Sequence, residues 1–256
     1  MKSKLIILGC GSSIGVPRID GGWGKCNRKN KKNLRSRCSA IIIKGRNHVL
    51  IDTSPDIRSQ LLNNNIKDVS SVIYTHEHAD QTNGLFELRP FFWKYKKKIN
   101  VYGNKKTIAN LKRRELYLFK RISDYPPIVK SNIVKRKFSL GKSKEKISFK
   151  TFTVKHGKTN SVAYTFENIA YISDTNDLSI IKAKELMNLK YLIIDCLKFE
   201  KHPTHFNLND VLFVHRILKP RKTILTNLHH DIDYNFISSI LPRNVFPAYD
   251  GLSINL

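Results

Sequence analysis

The sequence predicts an α/β fold in which two packed sheets are flanked by helices. Short apolar runs of strand length recur along the chain, and helical patterns interrupt them without strict alternation. A length of 256 residues at 41% hydrophobic content suffices to bury a sizeable core. Strands are read first near residues 4–8, 38–44, 48–52, 70–75 and 99–102, on runs such as Leu5-Ile6-Ile7-Leu8, Val49-Leu50-Ile51 and Val72-Ile73-Tyr74. A second series follows near 133–138, 147–156, 161–167, 169–174, 191–196, 222–227 and 252–256. Helical patterns lie near 55–64, 82–93, 104–119, 178–188, 208–218 and 233–240, with Pro55 and Asp177 as start signals. Residues 120–132, which include Pro126-Pro127, read as an irregular loop beside the cleft. No linker, repeat or low-complexity segment divides the chain, so a single domain over residues 1–256 is expected.

Composition sets outer bounds. The net charge is +26, much of it in runs such as Lys94 to Lys98, Lys112-Arg113-Arg114 and Lys142 to Lys146. Solvated faces and the lysine, asparagine and isoleucine bias of a low-GC genome account for most of it. A basic protein still gathers anions toward its cleft, an effect that fades with salt. A small anionic phosphate ester is therefore the expected partner, ahead of nucleic acid, and a homodimer is compatible with the chain. No apolar run approaches the roughly 18 residues of a membrane span, and the apolar stretch after Met1 is too short for a signal peptide. A cytoplasmic protein is expected. Cys10, Cys38 and Cys196 lie in or beside apolar runs and read as small buried residues of a reducing compartment.

The segment Thr75-His76-Glu77-His78-Ala79-Asp80-Gln81 follows the run Val72-Ile73-Tyr74. Residues two apart on extended chain share a face, so His76 and His78 can reach one ion. Asp80 then turns back as the chain enters a helix. Such a site leaves open positions where bound water becomes hydroxide near neutral pH. Further candidate ligands come just after other apolar runs: His156, Asp174, His205, and the pair His229 and His230. Gly9-x-Gly11-x-x-x-Gly15 misses the dinucleotide fingerprint and the P-loop ending, and reads as a turn approaching the metal cleft.

With these motifs the chain resembles the metallo-β-lactamase-fold hydrolases, from Leu8-Gly9-Cys10-Gly11-Ser12-Ser13-Ile14-Gly15-Val16-Pro17 through Ile51-Asp52-Thr53-Ser54-Pro55-Asp56 to Pro247-Ala248-Tyr249-Asp250-Gly251. It is most similar to the branch containing phosphoribosyl cyclic phosphate phosphodiesterases. The resemblance implies an α/β (αββα) four-layer sandwich of two mixed β-sheets flanked by helices. It also implies that His76, His78 and His156 hold a first metal, with Asp174 bridging to a second held by Asp80 and two further histidines. Those two histidines are replaced here by Gln81 and Asn227. An amide oxygen is a weak ligand beside imidazole, so Zn²⁺ or Mn²⁺ is expected as one tightly bound ion, the second weak or absent. His229 or His230 is a candidate substitute ligand. Asp52 is expected behind a ligating histidine, orienting it. Branch members often carry a cysteine-rich zinc knuckle, whereas Cys26 stands alone in this chain's matching segment, so no such knuckle is expected.

The implied chemistry is hydrolysis of a small cyclic or nucleotide-like phosphate diester by metal-bound hydroxide. His205 and Asp80 form the expected catalytic set, with His205 protonating the leaving oxygen. Arg58 and Arg89 are candidates to clamp phosphate. Two alternatives compete: a tRNA 3′-processing endonuclease, and a catalytically weak nucleotide- or phosphate-binding protein with a depleted second site.

Overall fold

Strand β1 (Ser3–Gly9) is apolar at every position from Leu5 to Leu8 because both of its faces are covered. Leu5 and Ile7 enter one core, while Ile6 and Leu8 enter another. The same double burial marks β2 (Ser39–Lys44) and β3 (Asn47–Ile51), where Ile42 and Val49 join the first core and Ile41 and Leu50 the second. Continuous apolar runs, rather than alternation, are what a strand between two layers needs.

The computed structural model describes residues 3–256; Met1 and Lys2, at the head of the segment read for a leader, lie outside it. After β3 come α1 (Ile57–Asn63), β4 (Ser71–Ile73), α2 (Ala79–Thr82), α3 (Arg89–Tyr95), β5 (Ile99–Gly103), α4 (Lys105–Arg114), α5 (Leu116–Phe119) and β6 (Val129–Ile133). The next series is β7 (Lys137–Leu140), β8 (Ile147–His156), β9 (Thr159–Phe166), β10 (Ile169–Ile172) and β11 (Tyr191–Asp195). It closes with α6 (Leu208–Leu218), β12 (Lys222–Thr226), α7 (Tyr234–Ile240), β13 (Val245–Pro247) and β14 (Leu252–Asn255).

Two mixed seven-stranded sheets result, ordered β14-β1-β2-β3-β4-β5-β6 and β13-β12-β11-β10-β9-β8-β7. In each, an antiparallel set is followed by a parallel set: β3 to β6 in the first sheet, β10 to β13 in the second. Ile7, Ile42, Ile51, Phe149, Tyr164, Tyr171 and Ile193 fill the space between the sheets. Ile57, Leu61, Ile108 and Leu111 cover the outer face of the first sheet, and Val211, Val214 and Ile237 that of the second. The layers are therefore helix, sheet, sheet, helix. Among the described residues no helix is long and apolar enough to cross a membrane.

The sheets are pinned near the site by two hydrogen bonds. Val162 N donates to Thr75 O at 2.8 Å, and the fully buried Tyr164 hydroxyl donates to Tyr74 O at 2.7 Å. Tyr164→Phe keeps the packing and strands that carbonyl. It is expected to lower stability by about 1–2 kcal/mol in urea unfolding; an unchanged midpoint would show that the inter-sheet bond is dispensable.

Several boundaries differ from the sequence reading. The strand expected at 133–138 is instead the passage between sheets: Val134 N bonds Gly103 O in the first, and Arg136 O accepts from Thr151 N in the second. Ile133 ends β6 and Lys137 begins β7, so the segment is strand at both ends and local preference cannot show that it changes layers between them. The expected loop at 120–132 gives way at Val129 to edge strand β6, whose Lys130 and Asn132 masked it, and the loop does not reach the cleft. The helix expected at 178–188 is two 3-10 turns, Leu178–Lys182 and Lys184–Leu186, joined through extended Ala183. The helix expected at 82–93 is broken at Gly84, where a Cβ would lie 2.1 Å from Ser54 O. Strand β13 was missed because it is three residues long and contains Pro247.

Candidate metal centre

The first sheet ends its parallel strands in polar residues that face the second. Asp52, just beyond β3, adopts a left-handed φ of 60°, a conformation that aspartate tolerates better than most residues. Its carboxylate accepts from Thr75 N and Thr75 Oγ1, both at 2.8 Å. The Thr75 hydroxyl, having donated to Asp52, accepts from His76 Nδ1 at 3.1 Å. That chain places the His76 proton on Nδ1 and turns Nε2 outward as a lone pair. Asp52 thus orients a candidate ligand through one intervening hydroxyl.

His76 Nε2 is buried and has no hydrogen-bond partner. Burial depresses the imidazole to about 4, so the ring is neutral at physiological pH. His156, at the end of β8, donates from Nδ1 to Thr204 O at 2.7 Å, which frees its Nε2 in the same way. His78 opens onto the cleft, and burial, with His156 beside it, lowers its pKa. The ring centroids lie 4.4 Å apart for His76 and His78, 5.0 Å for His76 and His156, and 5.1 Å for His78 and His156. One donor atom from each ring falls within 4.8 Å of the others. Three imidazoles converging on one point, one of them with an orphaned lone pair, fit a divalent cation.

Beside this trio lies a carboxylate cluster contributed mainly by the second sheet. Asp174 follows β10 and Asp195 ends β11; both are buried. His205 Nδ1 donates to Asp195 Oδ2 at 2.8 Å and sits 3.8 Å from Asp174 Oδ1. Burial would depress His205, but Asp195, then Asp174 and Asp80, outweigh it and raise the imidazole to about 9. Burial and the neighbouring Asp174 charge push Asp80 up to about 6. Burial works against ionisation of Asp174 as well, yet the surrounding His76, His205 and His156 hold its carboxyl below the usual range.

The two amides point into this cluster. Gln81 Nε2 donates to Asp80 Oδ2 at 3.2 Å and Asp174 Oδ2 at 3.3 Å. Asn227, in a left-handed conformation after β12, directs Nδ2 to Asp195 Oδ1 at 3.0 Å and Asp174 Oδ1 at 3.3 Å.

A cavity of about 900 Å³ opens over these groups. Of the residues singled out in the sequence, His78, Asp80, His156, Asp174, His205, Asn227 and His229 line it. His76, Gln81 and Asp52 lie beneath its floor, while His230 turns to Asp231. Arg58 and Arg89 are not brought to it. Arg58 is exposed on α1, Asp56 pairs with Arg37 rather than with Arg58, and Arg89 Nε donates to Phe86 O. Helix-surface geometry decided both positions. A different cation stands at the mouth: Lys106 Nζ bonds Glu77 Oε1 at 2.5 Å and Thr159 Oγ1 at 2.7 Å, with Lys158 also lining the cavity.

Sequence reasoning passed over Asp195, Lys106 and Thr75. Asp195 had a readable signal, since Ile193-Ile194-Asp195 repeats the Leu50-Ile51-Asp52 pattern of an apolar strand ending in aspartate. His202 also lines the cavity, where its Nδ1 lies 3.2 Å from Thr204 Oγ1.

Comparison with known proteins agrees with this geometry. The beta-lactamase superfamily domain matches residues 47–229. The crystal structure of a new diphosphatase from the PhnP family superimposes with a TM-score of 0.89 at 30% identity, covering 100% of this chain and 98% of that one. Zn²⁺-bound PqqB from Methylobacterium extorquens superimposes at 0.78 with 16% identity, over 99% of this chain and 100% of that one. An octanoyltransferase of Porphyromonas gingivalis is 27% identical over 252 residues, 97% of this chain. The chain spans about half (51%) of the length of that curated relative.

Proposed function

The chain belongs to the beta-lactamase superfamily and is related to its PhnP branch, and on that footing we propose that it is a metal-dependent phosphodiesterase acting on a small cyclic or nucleotide-like phosphate diester. The observation that carries the reading is the convergence of His76, His78 and His156 at the floor of one cavity that Asp174 and His205 also line. The three histidines, with Asp174 beside them, would hold one Zn²⁺ or Mn²⁺. When bound, the cation supplies Lewis acidity that acidifies water and neutralises charge on phosphoryl oxygens.

The chain's own groups do the rest. Asp195 fixes the His205 tautomer at Nδ1 and leaves Nε2 to carry the proton given to the leaving oxygen. Asp80 faces the same cavity as an acceptor for a proton released there. Lys106, held in place by Glu77 and Thr159, and Lys158 draw an anionic substrate to the mouth. Octanoyl transfer, named for the longer relative, is not assigned to this chain. Acyl transfer through a thiol needs an accessible cysteine, and all four cysteines are buried, with burial raising each thiol.

The test is reversible loading. Protein stripped with a chelator is expected to lose hydrolysis of bis(p-nitrophenyl) phosphate and to regain it when Mn²⁺ or Zn²⁺ is restored, with one ion per chain by elemental analysis. Activity undiminished after stripping, or no bound ion after restoration, would overturn the proposal.

A further inference from the structure

The segment from Arg89 to Lys98 consists of four aromatic residues, five cations and Pro90, with no acid among them. Its first seven residues form α3, and none of the seven is buried. Phe91 and Phe92 lean on the core beneath the helix, while Trp93 and Tyr95 are left 46% and 44% exposed. A surface helix ordinarily turns its rings inward. Here the two outer rings meet solvent beside Lys94, Lys96, Lys97 and Lys98, all of them exposed.

Hydrogen bonds tie this segment to further basic surface. Lys94 Nζ bonds Lys67 O at 3.3 Å and lies 3.5 Å from Asp68 Oδ1, and the Tyr95 hydroxyl donates to the same carboxylate oxygen. Ser70 Oγ accepts from His48 N at 2.7 Å, and Arg46 N, in the turn before His48, donates to Glu145 Oε1 at 2.9 Å. The basic runs Lys94 to Lys98 and Lys142 to Lys146 therefore meet at one end of the molecule. Asp68 and Glu145 stand among them, each already bonded. That end lies where the parallel strands β3, β4 and β5 begin, and the metal cavity lies where they finish.

Exposed tryptophan and tyrosine beside unpaired lysines suit the surface of an anionic bilayer. The rings settle at head-group depth, and the ammonium groups reach the lipid phosphates on flexible stems. Two other occupants fit less well. Base stacking by a nucleic acid needs open ring faces, and cations already cover one face of each ring: Arg89 Cζ lies 5.8 Å from the Trp93 centroid and Lys94 Nζ 4.7 Å from that of Tyr95. A second copy packed face to face would set the same lysines against one another. No helix among the described residues can cross a membrane, so the contact is with its surface. We infer that α3 and the basic end around it form a docking surface for an anionic lipid bilayer, with the metal cavity at the far end facing water.

Vesicle flotation of the full chain tests this. The protein is expected to float with phosphatidylcholine vesicles containing roughly 30% phosphatidylglycerol, to stay behind with phosphatidylcholine alone, and to be released at about 0.5 M NaCl. Reversing three charges, in Lys96→Glu/Lys97→Glu/Lys98→Glu, should weaken partitioning by about 100-fold or more, and Trp93→Ala by about fivefold or more. Both variants change exposed side chains, so the melting temperature should stay that of the wild type. Trp93 is one of two tryptophans. In a Trp23→Phe background its emission should move to shorter wavelength on anionic vesicles and become shielded from iodide. No flotation with anionic vesicles would overturn the inference, as would flotation that neither variant weakens. A Trp93 emission shift produced by single-stranded oligonucleotide and not by vesicles would assign the surface to nucleic acid instead. A wild-type dimer that Trp93→Ala converts to monomer would assign it to a second copy. The wild-type flotation and emission readings decide the matter even where a variant does not fold.

Discussion

His78→Ala is expected to abolish hydrolysis and to weaken retention of the divalent ion by well over 100-fold, more than the loss of a group that merely orients a ligand. Two of the three imidazoles would remain, too few to compete with water and buffer for the ion. His78 is a cleaner target than His76. Its ring is exposed to the cleft, and its structural duty is carried by its backbone carbonyl, which accepts from Thr82 Oγ1 at 2.7 Å and from Gln81 N at 3.1 Å. Alanine keeps both bonds, so the fold should survive with an unchanged melting temperature for the metal-stripped protein. His76→Ala would instead open a hole in the buried layer above Thr75 and confound stability with ligation. Elemental analysis and diester hydrolysis read the outcome; an active His78→Ala protein would sink the assignment of the site.

Asp195→Asn is expected to reduce kcat about 100-fold or more while leaving one ion per chain. Asp195 makes its contribution through His205. It accepts from His205 Nδ1 at 2.8 Å, Thr175 N at 2.9 Å and Asn227 Nδ2 at 3.0 Å, and a neutral amide cannot accept all three bonds with both of its ends. The direction of the pH effect follows from the acid role. A general acid works while protonated, so activity falls as pH rises through its pKa. Burial opposes the imidazolium and Asp195 is its strongest support, so removing that charge lowers the His205 pKa. The alkaline limb of the kcat profile should move down by at least about one unit. A slower variant with an unshifted limb would make Asp195 a structural support and take the acid role from His205.

Much of the site was legible because its chemistry is local. His76, His78 and Asp80 lie within five residues, His156 ends the ten-residue strand β8, and Asp174 comes just after the apolar run Ile169-Ala170-Tyr171-Ile172. The strands themselves were legible as uninterrupted apolar runs, although double burial of β1, β2 and β3 erased the alternation that reveals which face is which. What could not be read was partnership. Nothing in the segment around Asp195 announces that His205, ten residues on, folds back to it, or that Lys106 on α4 meets Glu77 and Thr159 from two other segments. Arg58 and Arg89 show the converse, in that a residue beside a motif on a short helix points where the helix turns. The departures at Gln81 and Asn227 were visible as residues, but the direction of their amide groups emerged only with three aspartates placed around them.

The candidate ligands come from two separately built sheets: His76, His78 and Asp80 from loops of the first, His156 and Asp174 from the second. Neither sheet can form the centre alone, so the affinity of the centre for its ion is drawn on only after the sheets have docked. At free ion a thousandfold above its dissociation constant, that linkage is worth about 4 kcal/mol toward the docked state. Cellular supply of the ion would then govern how much of this protein survives proteolysis, as well as how fast each surviving copy turns over. A substitution far from the cleft that loosens the packing between Phe149, Tyr164 and Ile193 would first be noticed as a shortage of protein in ion-poor cells.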